Sequence, residues 1–572
     1  MNDIDKNSWP SMYLKKIIFN DNSEIELNRN DIILFVGANN VGKSQVLKDI
    51  ADQFINTNNK KVVIQDIDIE EENIDFKTVG NYLKSHFSYD DKSRCYSIAI
   101  PNGEINHFGK DFLKEDYFSS GSAYSFLFTY LNTENRLNIT KPIICNNVLD
   151  YWSLNIMRQL EKNRYAIDDL NNLLFLIFGI GIDVYEDFIN SQFIKMYKIG
   201  NQEIIKKTVS TNRRDSLEEL KKLENLYDQG DGIRSAVAIL ASLIVSNHAL
   251  YLIDEPETFL HPPQAKMLGR NIVQVSKDKQ CFISTHNIDL IRGVLEEDAS
   301  RVKIIKIDRQ ENINTFNIID NKSIAKLSTD KNLKYTNVLN GLFYKQIVLC
   351  ENESDCKFYS TILEELDLKT YQNTLFCAVG GKDQFKLIVP LLINLNIKWR
   401  VIADIDLINN IDKLKQLLNA IEPRSYDSIS NSHKLFLSEF EEKKDQTVKK
   451  QKDIKKEIIN IFTNDDYMTD EQVKKIRRLL KKTSSLKELK VGGKNILPAG
   501  NCINYFEEII HFLADNNIYV LECGEIERLV PNIEAHGNSW VEKVFDQYDD
   551  INEKVYDNAK DFLRKVFNFN IQ

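Results

Sequence analysis

One glycine-rich motif near the N-terminus constrains the fold of this chain more than any other feature. Residues 37–44 follow the pattern Gly-x-x-x-x-Gly-Lys-Ser, and the apolar run 32–36 precedes them directly. The helix-forming stretch 45–54 comes next. A strand, a glycine-rich loop and a helix N-terminus in this order cradle phosphate groups, because backbone N–H groups and the helix dipole both point at the anion. The pattern therefore predicts a site for the phosphates of a nucleotide.

The residue types in this motif have distinct predicted roles. Lys43 can reach the β- and γ-phosphate oxygens, and the hydroxyl of Ser44 can bind Mg²⁺. The cradle around the phosphates is expected to consist of Gly37, Asn39, Asn40 and Gly42. The expected cofactor at this site is ATP together with Mg²⁺.

Composition excludes several other classes of protein. A chain of 572 residues is too long for one hydrophobic core and indicates about two to four domains. The net charge of −10 argues against a general nucleic-acid coat but leaves room for a local basic surface. The eight cysteines form no Cys-x-x-Cys pair, which disfavours zinc sites and a disulfide framework and favours reduced thiols in a cytoplasm. No apolar run approaches the ~18 residues of a membrane span, so no contact with a membrane is expected.

A second motif ends another apolar run. Residues 250–253 are apolar and lead into Asp254 and Glu255. Asp254 is placed to hold Mg²⁺ through water, and Glu255 is placed to polarise the water that attacks the γ-phosphate. Two adjacent acids at the end of a buried strand are costly unless a cation compensates them, and Mg²⁺ with ATP would do so. His286 follows the next strand-like run, 280–285, where a sensor of the γ-phosphate is expected.

A glycine-rich turn stands just before this second motif. It spans residues 229–235 and opens an apolar helix at 236–245. Such a turn at a helix N-terminus can bind an anion, so Asp231, Gly232 and Ser235 are candidate nucleotide-binding residues. A simple helix cap is the alternative interpretation.

The order of these motifs resembles the ABC-type ATPases over roughly residues 12–310. Asp-Glu-Pro-Glu followed by Leu-His, and a long insertion, are more similar to DNA-repair ATPases and to the OLD family of ATPase-nucleases than to transporters. The resemblance implies that two ATPase heads enclose two ATP molecules, with the glycine-rich turn of each head capping the ATP of the other. It therefore implies a homo-oligomer, either a dimer or a tetramer. By position it also implies that Asn132, Glu134 and Arg136 sense Mg²⁺ and the attacking water, with a plain surface turn as the alternative.

Three apolar runs in the C-terminal half end in a second set of candidate residues. The first run ends in Glu351 with Asp355 shortly after it, and the second ends in Gly-Gly-Lys at 380–382. The third ends in Asp404-Ile405-Asp406. Carboxyl ends of parallel strands meet at one edge of an α/β sheet, where the functional crevice lies. Carboxylates that converge there repel one another unless divalent cations lie between them, and oxygen ligands suit Mg²⁺ or Mn²⁺.

Two such ions about 3.5–4 Å apart are a common device for cleaving a phosphodiester in line. Solvated acids in loops are the alternative for any one of these residues. The order of the motifs resembles the TOPRIM domain, which implies that Glu351, Asp404 and Asp406 bind metal and that Asp355 is a metal ligand or an acid–base group. Asn352 stands where relatives usually have glycine, and its tolerance of the left-handed conformation is expected to preserve the turn.

A last strand-like run, 518–521, is followed by two more acids. In OLD-family nucleases an acid with a glutamate two positions later completes a second metal site, and this resemblance implies the same role for Glu525 and Glu527. Relatives usually have aspartate at the first of these positions, so the site differs in ligand length. A lysine beyond it often stabilises the charge of the transition state, and Lys543 is the candidate here.

A basic segment interrupts this second half. Residues 441–494 contain 16 Lys and Arg against 10 Asp and Glu, and helices are predicted over 449–462 and 470–486. In a chain with net negative charge, such a stretch is a candidate contact with a phosphate backbone. A solvated pair of helices is the alternative.

We predict an α/β fold with an ABC-type ATPase head that carries an inserted helical arm, followed by a TOPRIM α/β domain with a helical insertion. Residues 152–228 form a mostly helical arm, because apolar residues recur at helical spacing in 152–176 and 216–227 and charge becomes dense in the second stretch, with a strand-like piece at 193–207 between them. Such arms usually mediate dimerisation or hold a partner. The other predicted parts are the head at 1–151 and 229–321, a linker at 322–345, the TOPRIM nuclease domain at 346–535 with its basic helical insertion at about 408–500, and a C-terminal helical tail at 536–572.

An ATPase head followed by a TOPRIM domain is the architecture of the OLD family. In size and layout the chain is similar to the endonuclease subunits of Gabija anti-phage systems and to OLD nucleases encoded beside retrons. The resemblance implies a nucleotide-regulated, Mg²⁺- or Mn²⁺-dependent endonuclease that cuts double-stranded DNA in antiviral defence. A helicase, or a retron reverse transcriptase with its DNA, is the kind of partner it implies. The alternative is an ATP-driven DNA-binding sensor or scaffold that activates a partner and has a weak or inactive nuclease site.

Overall fold

The computed structural model describes residues 9–55, 61–86, 89–90, 95–99, 105–109, 123–124, 126–145, 156–189, 192–210, 213–246, 248–310, 313–319, 337–442, 451–462, 468–481 and 485–569. The chain divides into two compact units, an N-terminal unit from Met1 to Asp330 and a C-terminal unit from Lys331 to Gln572. Most of the predicted linker 322–345 lies outside the described residues. No helix within the described parts of the chain is long and apolar enough to span a membrane.

Sixteen strands and ten helices are described in the N-terminal unit. The strands are β1 Ser11–Phe19, β2 Glu24–Glu26, β3 Ile32–Val36, β4 Ile64–Glu72, β5 Tyr89–Asp90, β6 Cys95–Ala99, β7 Ile105–Gly109, β8 Phe128–Leu131, β9 Ile143–Cys145, β10 Ile180–Ile189, β11 Gln192–Asn201, β12 Glu224–Asn225, β13 Leu250–Asp254, β14 Gln280–Ser284, β15 Val302–Gln310 and β16 Ile313–Ile319. The helices are α1 Lys43–Ile55, α2 Phe76–His86, α3 Thr133–Ile139, α4 Ile156–Lys162, α5 Arg164–Phe178, α6 Gln202–Ser210, α7 Arg213–Lys221, α8 Asp231–Val245, α9 Pro262–Val275 and α10 Ile288–Asp298.

The central sheet of this unit has the strand order β16-β15-β3-β14-β13-β8. All neighbouring pairs are parallel except β15 and β16, which pair antiparallel. Every residue of β3 and β14 is buried, as the continuous apolar runs require for parallel strands covered on both faces. The phosphate loop, Asp254 and His286 follow β3, β13 and β14, so these neighbouring strands bring all three to the same edge of the sheet.

A second, antiparallel sheet with the order β2-β1-β4 packs beside the central sheet. Gln280, at the start of β14, joins the two sheets. Its side-chain oxygen accepts a hydrogen bond from the Leu14 N–H at 2.8 Å, and its side-chain nitrogen donates to the carbonyl oxygens of Leu14 at 2.8 Å and Asn28 at 3.0 Å. This buried amide thereby satisfies backbone groups of the antiparallel sheet and fixes the start of β14.

Residues 156–225 contain more strand than the sequence suggested. The helices α4 to α7 are present, but β10 and β11, with ten residues each, pair antiparallel from Ile180 opposite Asn201 to Ile189 opposite Gln192. Gly179 ends α5 in the left-handed conformation and turns the chain into β10. The prediction of a mostly helical arm missed β10, because a short apolar run cannot distinguish a helix end from a buried strand.

The C-terminal unit is built on a four-stranded sheet with the order β18-β17-β19-β20, and all of its pairs are parallel. Its strands are β17 Gln346–Cys350, β18 Thr374–Ala378, β19 Lys398–Asp404 and β20 Ile518–Leu521. Its helices are α11 Glu353–Leu366, α12 Leu368–Gln372, α13 Phe385–Asn394, α14 Ile411–Ile421, α15 Ser430–Glu442, α16 Gln451–Ile461, α17 Asp470–Lys481, α18 Ser485–Gly492, α19 Asn501–Asp515, α20 Asn538–Gln547 and α21 Asp557–Phe567.

Helices α20 and α21, in the segment predicted as a C-terminal helical tail, belong to the core of this unit. Trp540 and Leu563 are completely buried in the same apolar cluster as Phe358 of α11. The rings of Trp540 and Phe358 lie 5.1 Å apart. Both C-terminal helices bury an apolar face, and burying such a face is the main source of stability for helices of this length.

Candidate nucleotide and metal sites

The backbone of the phosphate loop adopts conformations that explain its glycines. Gly37 has a φ of +149° and Gly42 a φ of +98°, and Asn40 between them has a φ of +67°. A Cβ atom on Gly37 would lie 2.4 Å from the carbonyl oxygen of Ile307. Only glycine fits such a position without moving β15, and asparagine is among the residues that tolerate positive φ. The glycines and the asparagine of the motif therefore allow the backbone conformation of this loop.

Lys43 is the buried cation of this loop. Its Nζ donates hydrogen bonds to the carbonyl oxygens of Gly37 at 3.0 Å and Ala38 at 2.9 Å. Burial lowers the pKa of Lys43 from its ordinary value, and the negative charge of Glu255 opposes that shift. The ammonium group is thus held inside the loop by neutral carbonyls, from which a phosphate can attract it.

Ser44 and Asp254, two residues predicted to bind Mg²⁺, lie side by side. The Ser44 hydroxyl donates to Asp254 Oδ1 at 2.7 Å. The hydroxyl of Ser284, at the end of β14, donates to the same oxygen. A hydroxyl and a carboxylate oxygen side by side are hard ligands of the kind that Mg²⁺ prefers.

Glu255 and His286 are also brought together. His286 Nδ1 lies 3.3 Å from Glu255 Oε1 and 3.6 Å from Glu257 Oε1. Glu257 is only 4% exposed, and its Oε1 accepts hydrogen bonds from the Thr285 hydroxyl at 2.7 Å and the His286 N–H at 3.2 Å. Burial raises the pKa of Glu257. Glu257 therefore holds the loop that carries His286, a role that the second glutamate of Asp-Glu-Pro-Glu could have suggested.

Three residues of the segment 132–136 have three different environments. Asn132 caps α3 by accepting from the Asn135 N–H at 2.8 Å, and Glu134 is exposed. Arg136 is completely buried and donates to the carbonyl oxygens of Asp254 and Glu255, the latter at 3.2 Å. The surface-turn interpretation fits Glu134, whereas Arg136 is bound to the backbone that carries the candidate ATPase residues.

The glycine-rich turn begins α8, and Gly230 is its N-cap residue. A Cβ on Gly232 would lie 2.5 Å from the carbonyl oxygen of Phe259, so the turn packs directly against the loop after β13. Asp231 accepts a hydrogen bond from Arg234 at 3.0 Å, and Ser235 is buried. Arg234 also donates to the Leu137 carbonyl at 3.0 Å. The predicted residues share one helix start, which is attached to α3.

In the C-terminal unit, the carboxylates after β17 and β19 converge. One oxygen each of Glu351, Asp404 and Asp406 lies within 4.8 Å of the others. Burial, followed by the charges of Asp404 and Asp406, raises the pKa of Glu351 to about 7. Burial likewise raises the pKa of Asp404. Close like charges and burial both favour protons or cations among these groups.

Asp355 and Asn352 form the N-terminus of α11. Asn352 has a φ of −132°, and its N–H donates to Asp355 Oδ2 at 3.1 Å in a capping box. The expectation of a left-handed residue at this turn is wrong, because an extended N-cap already directs the chain from β17 into α11. Burial raises the pKa of Asp355 to about 6. Asparagine is a preferred N-cap residue, so its presence suits the turn.

A second cluster follows β20. Ligand atoms of Glu525, Glu527 and His536 lie within 4.8 Å of one another. His536 Nδ1 is 3.3 Å from Glu527 Oε1, which also accepts from the Gly537 N–H at 3.1 Å. Burial raises the pKa of Glu525, and the charge of Glu527 adds to the shift. Sequence reasoning placed the two glutamates but missed His536, since only the turn at Gly537 (φ +59°) returns it to them.

Two lysines contact the first cluster, and neither was among the predicted catalytic residues. Lys382 Nζ lies 2.5 Å from Asp406 Oδ2, and Lys490 Nζ lies 2.8 Å from Asp404 Oδ2 and 3.8 Å from Asp406 Oδ2. The predicted Lys543 is exposed and donates to the carbonyl oxygen of Glu534 at 3.4 Å. The described contacts therefore place Lys382 and Lys490 beside the acids after β17 and β19.

The donor sets fit divalent cations. Glu351 Oε1 and Asp406 Oδ1 are buried and have no hydrogen-bond partner among the described residues. Buried polar atoms without a partner are rare and call for an additional ligand. Three carboxylates in the first cluster suit Mg²⁺ or Mn²⁺, and the imidazole in the second adds a ligand that favours transition metals.

Two family models match the chain. An AAA domain model, AAA_21, matches residues 32–292, and the model described as "Overcoming lysogenization defect protein-like, TOPRIM domain" matches residues 342–406. The first match covers the phosphate loop, the glycine-rich turn and His286. The second covers Glu351, Asp355, Asp404 and Asp406. The chain resembles the OLD family. It carries an ATPase domain followed by an OLD-like TOPRIM domain.

Two curated proteins, a nuclease and an endonuclease, are similar to part of this chain. The Old nuclease of Escherichia phage P2 is 24% identical over 173 residues, which is 29% of this chain and 29% of the relative. Endonuclease GajA of Bacillus cereus (strain VD045) is 26% identical over 189 residues, which is 32% of each chain. The chain spans less than one third of the length of either relative.

The SMC head domain from Thermotoga maritima covers 54% of this chain and 99% of its own length, with 14% identity and a TM-score of 0.27. A TM-score this low is too weak to argue from. The assignment of the ATPase fold to the N-terminal unit instead rests on the strand order of the central sheet and on the family match.

Proposed function

We propose that this protein is a nucleotide-regulated, divalent-metal-dependent DNA endonuclease that acts in anti-phage defence. The observation that carries the proposal is the convergence of Glu351, Asp404 and Asp406 at the carboxyl edge of a parallel sheet, where buried oxygens of Glu351 and Asp406 have no partner among the residues that the structure describes. The names of the two curated relatives, a nuclease and an endonuclease, support the same chemistry.

Each carboxylate cluster has a part in the proposed cleavage. Glu351, Asp404 and Asp406 would hold one cation, and Glu525, Glu527 and His536 would hold another. A divalent cation held by these residues would supply activation of a water molecule and stabilisation of the charge that develops on the phosphate. Asp355, with a pKa of about 6, is suited to accept a proton from the attacking water near neutral pH.

The N-terminal unit supplies the proposed nucleotide control. Lys43 binds the β- and γ-phosphates, and Ser44 with Asp254 holds Mg²⁺. Glu255 orients the attacking water, and His286 contacts the γ-phosphate. Because the glycine-rich turn of one head caps the nucleotide of another in this type of ATPase, we propose a homo-oligomer, a dimer or a tetramer. Binding and hydrolysis of ATP then set the access of DNA to the nuclease site.

The proposed substrate is double-stranded DNA in the cytoplasm. The positively charged helix α17, with a lysine- and arginine-rich sequence, is a candidate contact for its phosphate backbone. A helicase, or a retron reverse transcriptase with its DNA, is the proposed kind of defence partner.

One observation favours a second function, an ATP-driven DNA-binding sensor or scaffold without strong nuclease activity. Lys382 and Lys490 already form ion pairs with Asp406 and Asp404. An acidic site that has lost its metals would be neutralised by lysines in this way. Plasmid cleavage separates the two functions, because the scaffold needs ATP turnover but no cleavage.

The test is a nicking and linearisation assay on supercoiled plasmid with Mn²⁺ or Mg²⁺, with and without ATP. If the protein is a nuclease, the wild type cleaves the plasmid and Asp404→Ala does not. Comparison of the wild type with Lys43→Ala, with and without ATP, shows whether the nucleotide activates or inhibits cleavage. ATP hydrolysis without any metal-dependent cleavage, in the presence or absence of nucleotide, would overturn the nuclease proposal and favour the scaffold.

A further inference from the structure

We propose that Lys490 is a resident cation of the first carboxylate cluster, which a divalent metal must displace, so that the inserted helix α18 controls entry of the metal. The inference rests on the proposed nuclease function, because it concerns the same carboxylates. It assigns to the helical insertion a role at the metal site in place of, or in addition to, a contact with DNA.

The backbone around Lys490 is docked against the turn that leads from β20 to Glu525. A Cβ on Gly524 would lie 2.2 Å from the carbonyl oxygen of Lys490, and a Cβ on Gly493 would lie 2.4 Å from the carbonyl carbon of Cys523. The Lys494 N–H donates to the Glu522 carbonyl at 2.8 Å. Two glycines and a backbone hydrogen bond thus fix the end of α18 on this turn. This backbone packing therefore determines where Lys490 lies.

The side chain of Lys490 reaches from this docked backbone into the cluster. Its Nζ lies 2.8 Å from Asp404 Oδ2 and 3.8 Å from Asp406 Oδ2, and the side chain is half-buried. A lysine side chain is ordinarily charged at neutral pH. This ammonium lies beside two of the three carboxylates that would bind the first cation.

The Lys490 ammonium and a divalent cation at this cluster compete for the negative charge of the same acids. Asp404 Oδ2 is engaged by Lys490, whereas Glu351 Oε1 and Asp406 Oδ1 have no partner among the described residues. A cation that binds the three acids lies a few ångströms from the ammonium, and the repulsion between the two positive charges drives Lys490 away from Asp404. Displaced but still tethered by α18, the ammonium remains close enough to contact a phosphate at the site.

This inference predicts the sign of a binding change. Removing the ammonium by Lys490→Met should tighten Mn²⁺ binding at the first site by about tenfold or more, because a competing charge is lost. If Lys490 only positioned the acids, the same change would weaken Mn²⁺ binding. The rate of DNA cleavage at saturating Mn²⁺ should nevertheless fall, because the lysine is no longer there to contact the phosphate.

Titration of Mn²⁺ into the full-length protein by calorimetry, without nucleotide or DNA, measures this sign. Lys494→Met is the matched control, since Lys494 lies in the same segment but pairs with Glu507 at 2.9 Å and Glu522 at 3.5 Å. It should change Mn²⁺ affinity by less than about threefold, because its charge is more distant and screened. Lys490→Arg keeps the charge and should keep wild-type affinity, and Lys490→Gln serves if the methionine variant unfolds.

The outcomes separate this inference from the proposed function. Tighter Mn²⁺ binding by Lys490→Met or Lys490→Gln, with Lys490→Arg and Lys494→Met near wild type, supports a displaced resident cation. Unchanged or weaker binding by both neutral variants overturns it, while Mn²⁺ binding by the wild type that Glu351→Gln abolishes leaves the nuclease proposal standing. Absence of Mn²⁺ binding by the wild type overturns the metal site and this inference together.

Discussion

The guanidinium of Arg136 donates a hydrogen bond to the carbonyl oxygen of Glu255 at 3.2 Å and a second bond to the carbonyl oxygen of Asp254. Arg136 is completely buried, and Glu255 has a φ of +46°, which is uncommon for a residue with a side chain. A buried charge thus holds the backbone of both candidate ATPase acids, and one of them, Glu255, has a strained conformation. Strain of this kind persists only where the surroundings enforce it.

Arg136→Met should therefore lower kcat for ATP hydrolysis by about 10- to 100-fold while the KM for ATP changes little, because the variant misplaces Glu255 but not the phosphate loop. Steady-state ATPase kinetics measure kcat and KM separately. Arg136→Lys, which can keep one carbonyl contact, should fall between the wild type and the methionine variant. A rise in KM with unchanged kcat would show that Arg136 acts on nucleotide binding instead.

Glu255→Gln should abolish hydrolysis, by at least about 100-fold, and leave ATP binding intact, since a carboxylate that polarises water is lost while Lys43 and Ser44 remain. Binding of a fluorescent ATP analogue and phosphate release measure the two properties separately. Glu134→Gln is the matched control, because Glu134 is an exposed glutamate of the same unit. Full hydrolysis by Glu255→Gln would remove Glu255 from the catalytic role.

His433 should make the C-terminal unit less stable as the pH falls below about 6.5. This effect is opposite in sign to that of Glu351 and Asp355, whose pKa values are raised by burial, so it is measured as the difference between the wild type and a His433 variant. His433 is completely buried, its Nε2 donates to the Ile408 carbonyl at 2.7 Å, and its Nδ1 accepts from the Tyr426 hydroxyl at 3.0 Å. Burial lowers its pKa below the ordinary value of 6.5. Between the ordinary and the lowered pKa, the unfolded chain binds a proton that the folded chain does not, so acid favours unfolding.

Urea unfolding at several pH values between 5 and 8 measures this dependence. Above the ordinary pKa both states carry neutral imidazole, and the contribution of His433 is constant. In His433→Gln the contribution of this group to the change of unfolding free energy with pH should disappear, although the variant is less stable at every pH. An identical change with pH in the variant and the wild type would show that His433 makes no such contribution.

His536→Asn should reduce the preference of the protein for Mn²⁺ over Mg²⁺. His536 offers the only nitrogen ligand of the two described clusters, and imidazole favours transition metals whereas carboxylates alone serve both ions. Mn²⁺ affinity at the second site should fall about tenfold, with a smaller loss for Mg²⁺. Calorimetric titrations of both ions test this, with His511→Asn as the control, and equal losses for the two ions would argue against direct ligation.

The parts of the site that follow strands could be predicted from sequence. Asp254, Glu351 and Asp404 each end an apolar run, and parallel strands bring their carboxyl ends to one edge whatever the details of packing. Ser44 and Asp254, which the sequence named separately as candidates to bind Mg²⁺, are joined by a 2.7 Å hydrogen bond. The local sequence determines these positions, because the residue that ends or directly follows a strand is positioned by that strand.

Other residues depend on contacts between distant segments. Lys490 reaches Asp404 only because Gly493 and Gly524 let two backbones touch, and the basic composition of its segment pointed to solvent or DNA instead. His536 is returned to Glu527 by a single turn. Nothing in spacing or periodicity encodes such approaches. They arise from tertiary packing. Strand β10 was missed for a different reason, because its short apolar run could not be distinguished from the end of a helix.

The central claim is that the acids after β17 and β19 form a metal-dependent nuclease site. The most direct measurement is the initial rate of plasmid nicking as a function of Mn²⁺ concentration for the wild type, Asp404→Asn and Asp412→Asn. Asp412 is an exposed aspartate of α14, so its variant controls for the loss of one negative charge. The account predicts Mn²⁺-dependent nicking by the wild type and Asp412→Asn and at least about a 100-fold lower rate for Asp404→Asn. Equal rates for Asp404→Asn and the wild type would contradict it.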